Sequence, residues 1–166
     1  MIGVKDMTTS TPKQILLFRH AEKPSDKTNP GLAPSGQVRA RNLAKYIPKN
    51  FGKPDFIFAS SPSKDSNRPS LTVTPLAKAL GLKIKNKIAD NDFKKLARKL
   101  FTNSKYSGKL IVICWHHGNI PALASALKAP DLSYPNPWPE NIFNLILNID
   151  YSDNSEVKLT QITEPF

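Results

Sequence analysis

The chain has one cysteine, Cys114, so no intrachain disulfide can hold it together. That cysteine lies in the apolar run Leu110 to Trp115, where a buried thiol is an inert one. No apolar stretch is long enough to cross a bilayer, so no membrane contact is expected. Residues 1–14 are polar and lack the apolar centre of a secretory signal, which leaves a cytoplasmic location as the default expectation. No run of five like charges occurs, and this argues against a basic tail that grips nucleic acid. Histidine is scarce too, with three in all. Three histidines, a buried-looking thiol and scattered carboxylates are poor metal-site material, so neither a metal nor another cofactor is expected. No internal repeat or second domain is visible.

What remains fits one ordinary globular domain. A chain of 166 residues can bury a sizeable core. Lys and Arg number 24 against 13 Asp and Glu, a formal charge of +11. This excess favours anionic partners, although lysines such as Lys78, Lys94, Lys95 and Lys99 are spread over helix faces where solvation explains them.

Residues 1–14 read as a flexible leader and 15–166 as the folded domain. Ile15 to Phe18 is a short apolar strand. A long polar loop, Glu22 to Pro34, leads to a helix with Ser35 as N-cap. Val38, Leu43, Ala44 and Ile47 recur along it at helical spacing, and Pro48 ends it. Phe56 to Ala59 is a second strand. A second helix runs from about Pro69 to Leu80 before Gly81, with Pro75 expected to kink or split it. Leu82 to Lys85 makes a short strand and Asp92 to Phe101 a helix. Leu110 to Trp115, apolar throughout, has the pattern of a central strand covered on both faces. Asn119 to Leu127 is helical, with Asn119 at its N-cap. Ile142 to Tyr151 and Val157 to Ile162 form a terminal pair joined by a turn at Asp153-Asn154. Strand and helix alternate, then two strands follow. This order implies a three-layer α/β/α sandwich, its central sheet largely parallel with an antiparallel edge.

Two of the strongest strands end in chemistry. The first runs into Arg19-His20 and the central one into His116-His117. In open α/β sheets the ligand crevice lies at the carboxyl ends of the strands. Arginine offers a planar fork suited to phosphate. Histidine is a nucleophile or proton carrier near neutral pH. Arg68, just before the second helix, adds another fixed cation. Neighbours on a strand face opposite ways, so one of His116 and His117 enters the crevice.

Phe18-Arg19-His20-Ala21-Glu22 resembles the Arg-His-Gly/Ala motif of the histidine phosphatase superfamily, the phosphoglycerate mutase-like proteins. Leu32-Ala33-Pro34-Ser35-Gly36, with Ala40, Leu43 and Ala44, resembles the segment that opens the family's first helix. Ser60-Ser61-Pro62 followed by Arg68 and Thr72 resembles Ser-Ser-Pro-Leu-x-Arg-Ala-x-x-Thr-Ala. The Ser-Pro to Arg spacing is longer here, however, with room for a local loop. His117-Gly118 after Ile111-Val112-Ile113 resembles the second His-Gly motif. No single motif is specific; their order from Ile15 to about Ala126 is.

The resemblance implies a small single-domain phosphatase that needs no metal. It would hydrolyse a phosphate monoester or phosphoramidate through a phosphohistidine on His20. Arg19 and Arg68 would clamp the phosphoryl oxygens, and His117, chosen for its adjacency to Gly118, would donate to them. His116 is then left at the rim. The proton donor is weakly marked: Asp90 and Asp92 follow the second helix, and Glu22 follows the nucleophile. The expected partner is a phosphorylated small molecule or phosphoprotein. Two other readings are a phosphoglycerate mutase, which the short chain disfavours, and a non-catalytic module binding phosphorylated or nucleic-acid ligands. Retention of a nucleophile disfavours the second.

Overall fold

A computed structural model of the protein describes residues 10–166. The elements in order are β1 (Gln14–Arg19), α1 (Pro34–Phe51), β2 (Phe56–Ala59), α2 (Arg68–Leu80), β3 (Ile84–Lys85), α3 (Phe93–Thr102), β4 (Leu110–Trp115), α4 (Ile120–Ala126), β5 (Leu145–Asp150) and β6 (Lys158–Thr163). Most of the expected leader lies outside the described residues. Its end is fastened to the fold: Gly108 N–H donates to the Thr11 carbonyl and Lys13 N–H to the Lys109 carbonyl, and Gln14 already belongs to β1.

The six strands form one sheet in the order β3-β2-β4-β1-β5-β6. β1 to β4 pair in parallel, and β5 and β6 are added antiparallel on one side. The two central strands alternate faces as their sequences require. Ile15 and Leu17 of β1, with Ile111, Ile113 and Trp115 of β4, pack under α3 and α4. Leu16 and Phe18, with Val112 and Cys114, pack under α1 and α2. The result is an α/β/α sandwich. The four apolar residues Ile15 to Phe18 are fully buried, each worth roughly 1.5–3 kcal/mol. Cutting Leu17 to Ala would cost about 2–5 kcal/mol.

Neither proline interrupts its helix. α1 passes through Pro48 and ends at Phe51, where Gly52 N–H donates back to the Pro48 carbonyl. Pro48 leaves the Ala44 carbonyl without its intrahelical N–H, and the buried side chains of Leu43 and Ile47 hold this turn in place. α2 runs unbroken through Pro75, because Val73, Leu76 and Ala77 are buried around it and their packing outweighs one absent hydrogen bond. The N-terminus of α1 also differs. Its N-cap is Ala33, not Ser35, and no side chain caps it. Its inward stripe is Gly36, Ala40, Leu43 and Ile47, whereas Val38 faces solvent.

Candidate active site

The β1–β4 register builds the site. Arg19 stands opposite Trp115, and one residue further His20 N–H donates to the Trp115 carbonyl at 3.1 Å. His20 therefore lies beside His116, and their ring centroids are 5.3 Å apart, edge to face. Of the two histidines that follow β4, His116 is thus the one whose ring meets His20. Strand parity assigns that place to His116, while His117 sits further out where two cavities meet.

His20 is 2% exposed. Its Nδ1 lies 2.7 Å from the Ala21 carbonyl. A carbonyl can only accept, so Nδ1 carries the proton and Nε2 keeps its lone pair. Burial pushes the His20 pKa down to about 3; the bond to Ala21 opposes this, and the charges of Arg19 and Arg68 add to it. The ring is therefore neutral at physiological pH, with one fixed donor and one free nucleophilic nitrogen. His116 is also held below the usual histidine range, mainly by burial, with Asp90 pulling the other way.

The two arginines are placed differently. Arg19 is 1% exposed at the end of β1. Its Nη1 donates to the carbonyls of Glu140 and Ile142, and its guanidinium stacks on Phe143 at 3.9 Å. Its Nε and Nη2 are buried and have no partner. Burial lowers its pKa to about 10, so it stays charged. Arg19 is not one of the residues lining the cavity at His20, but its charge is within electrostatic reach of His20, His116 and His117. Arg68, by contrast, does line the cavity. Its Nε donates to the Gly31 carbonyl at 2.9 Å and its Nη2 to the Asn29 carbonyl at 2.7 Å, which leaves Nη1 for a ligand.

Surrounding contacts fix these groups. Thr72 Oγ1 accepts from Ala21 N–H and donates to the Arg68 carbonyl, both at 2.8 Å, so it ties the loop after His20 to the start of α2. Gly36 lets α1 approach the backbone of Glu22. A Cβ there would sit 2.7 Å from the Glu22 carbonyl oxygen, a distance no side chain tolerates.

The three candidate acids separate cleanly. Glu22 does not reach the cavity, because Arg39 takes its carboxylate at 2.7 Å. Asp92 is exposed at the start of α3 and does not reach it either. Asp90 lines the cavity beside His116. Its Oδ2 accepts from Asn119 Nδ2 at 3.0 Å, its carbonyl accepts from Trp115 Nε1 at 3.1 Å, and its Oδ1 is buried without a partner. Asn119 thus occupies the expected N-cap position of α4, but its side chain holds Asp90 instead of capping the helix. Glu140 was not foreseen as a site residue. Its carbonyl anchors Arg19, and its side chain stands with His117 at the second cavity.

The main cavity measures about 570 Å³. Besides the groups above it is lined by Lys23, Ser61, Ser63, Asp65, Ser66 and Asn91. Its floor is a neutral histidine pair beside a cation, and its rim is hydrophilic. Among the described residues no group of three or more His, Cys, Asp or Glu side chains is placed to hold a metal ion, and no helix is long and apolar enough to cross a membrane.

No protein-family model matches the chain, and no curated protein matches it in sequence. Solved structures do. The protein histidine phosphatase SixA complexed with tungstate superposes with a TM-score of 0.63 at 13% identity, covering 90% of this chain and 96% of that one. The mycobacterial glucosyl-3-phosphoglycerate phosphatase gives 0.58 at 16% identity, covering 92% and 98%. Phosphoglycerate mutase from Plasmodium falciparum gives 0.60 at 19% identity, covering 92% and 91%. The chain therefore has the fold of the histidine phosphatase superfamily. It spans nearly all of the mutase structure as well, so its length does not set a phosphatase apart from a mutase.

Proposed function

We propose that the protein is a metal-independent phosphatase that hydrolyses a phosphate monoester or phosphoramidate, with His20 carrying the phosphoryl group. The observation that supports this best is the His20 ring: neutral, buried, and oriented by Ala21 so that Nε2 is free. In the first step Nε2 attacks phosphorus in line. The P–N bond forms as the bond to the leaving group breaks, and the leaving atom takes a proton from Asp90. In the second step water gives its proton back to Asp90 and attacks phosphorus. The P–N bond breaks, and phosphate leaves with His20 restored. Arg68 Nη1 and the unpartnered Nε and Nη2 of Arg19 balance the charge on the phosphoryl oxygens. His116 takes the role of second phosphate-binding histidine. His117 and Lys23 serve at the rim, where the leaving group lies.

A structure with vanadate or tungstate bound tests this assignment. The expected anion lies against His20 Nε2 with donors from Arg19, Arg68 and His116. An anion held by His117 and clear of the His20 ring would refute it.

A further inference from the structure

A second basic feature shares no lining residue with the cavity at His20. Lys83, Lys85, Lys87 and Lys99 line a concavity of about 380 Å³ with Phe58 in its wall, and no carboxylate lines it. Lys105 comes in from a neighbouring loop. Lys85 and Lys105 both lie over the Phe56 ring, at 5.8 and 5.4 Å, and Lys99 lies over Phe58 at 6.0 Å. Among the described residues none of these five lysines takes part in an ion pair. Burial lowers the Lys85 pKa, and the ammonium charges of Lys105, Lys99 and Lys83 lower it further.

β3 is the edge of the sheet, and lysines on an edge strand discourage pairing with another chain. That accounts for Lys83, Lys85 and Lys87. It does not account for Lys99 from α3 and Lys105 from the loop before β4 being gathered onto the same aromatic wall. Crowding like charges costs free energy that an anion would recover, and the concavity has the size of a small-ligand site. We infer that this concavity binds a compact oligophosphate, a small molecule with several phosphates joined or clustered, through Lys83, Lys85, Lys87, Lys99 and Lys105.

Sodium tripolyphosphate titrated into ¹⁵N-labelled full-length protein, with orthovanadate present to fill the site at His20, is the test. Amide shifts are expected over residues 83–88 and at Lys99 and Lys105. The double variant K85Q/K105Q should bind about tenfold more weakly or worse, since two charged donors are lost, and should keep wild-type turnover of an aryl phosphate. Shifts confined to the surroundings of His20, or a double variant within about twofold of wild type, would overturn the proposal. So would sulfate binding as tightly as tripolyphosphate, because diffuse attraction would then suffice. A single-stranded oligonucleotide that displaces tripolyphosphate at far lower concentration would reassign the surface to nucleic acid. The amide shifts and the tripolyphosphate affinities do not depend on His20 being a nucleophile.

Discussion

Arg19 and Arg39 are both largely buried cations, and they are treated in opposite ways. Arg39 is matched on every side. Glu22 accepts at 2.7 Å, Glu164 at 2.8 Å and the Phe166 carbonyl at 3.1 Å. Burial works against its charge, but the two carboxylates carry its pKa above the ordinary value. Arg19 has two backbone carbonyls and an aromatic face, and its Nε and Nη2 are left open. A buried charged donor without a partner costs stability. One guanidinium is satisfied by two carboxylates and the other is left short; under the proposed function, the open donors of Arg19 serve the phosphoryl anion.

The largest expected effect breaks the chemistry itself. His20→Ala should eliminate turnover and phosphoenzyme while the chain stays folded, checked by steady-state kinetics and thermal melting. Next, Arg19→Met should cut kcat/KM by about 10²–10³, the usual loss when one donor to a transition-state oxyanion is removed, with much less effect on melting. Arg39→Met should do the reverse. Breaking a buried pair costs about 3–5 kcal/mol, read by urea unfolding, while turnover per folded molecule stays within a few-fold. If the two arginine variants behave alike, the contrast between a matched and an open cation fails.

A smaller effect separates the neighbouring histidines. His116→Ala should lower kcat/KM by about 10²-fold as a lost phosphate donor, and His117→Ala by much less, with any effect concentrated in KM. Equal losses would return His117 to the floor of the site.

The smallest effect is a pH slope. Burial raises the Glu164 pKa from 4.5 to about 7, although Arg39 opposes this. Glu164 thus holds its proton more tightly folded than unfolded. Its contribution to stability is complete below about pH 4.5 and is lost as pH rises through about 7, a change of the order of 3 kcal/mol. Glu164→Gln should flatten that slope in urea unfolding between pH 5 and about 7.5. A slope that persists in the variant belongs to other groups.

The contrast also shows what the sequence could convey. Arg19, His20 and Arg68 were legible because local patterns mark them: apolar strands ending abruptly, and a helix opening on Arg68-Pro69. The sandwich and its antiparallel side followed from the order of apolar runs. His116 was not picked out, because adjacency to Gly118 favours His117 while the β1–β4 register favours His116. The register was readable in principle: Phe18-Arg19-His20 set beside Cys114-Trp115-His116 gives the pairing. Selecting Asp90 over Asp92 and Glu22 needed contacts across 25 and 29 residues, from Trp115 and Asn119. Such contacts leave no local mark. Pro48 and Pro75 misled for a related reason, since their local cost is offset by packing that only the tertiary structure reveals.

Rapid quench of the wild-type reaction with a ³²P-labelled substrate asks whether His20 carries phosphate. Phosphohistidine is labile in acid and stable in base. The account predicts label on the protein after an alkaline quench, its loss after an acid quench, and none on His20→Ala under either. Because the His20 pKa is held down to about 3, the same labelling should still form at pH 5, where an ordinary histidine would be protonated. Turnover of wild type with no trapped label, together with substantial activity in His20→Ala, would contradict it.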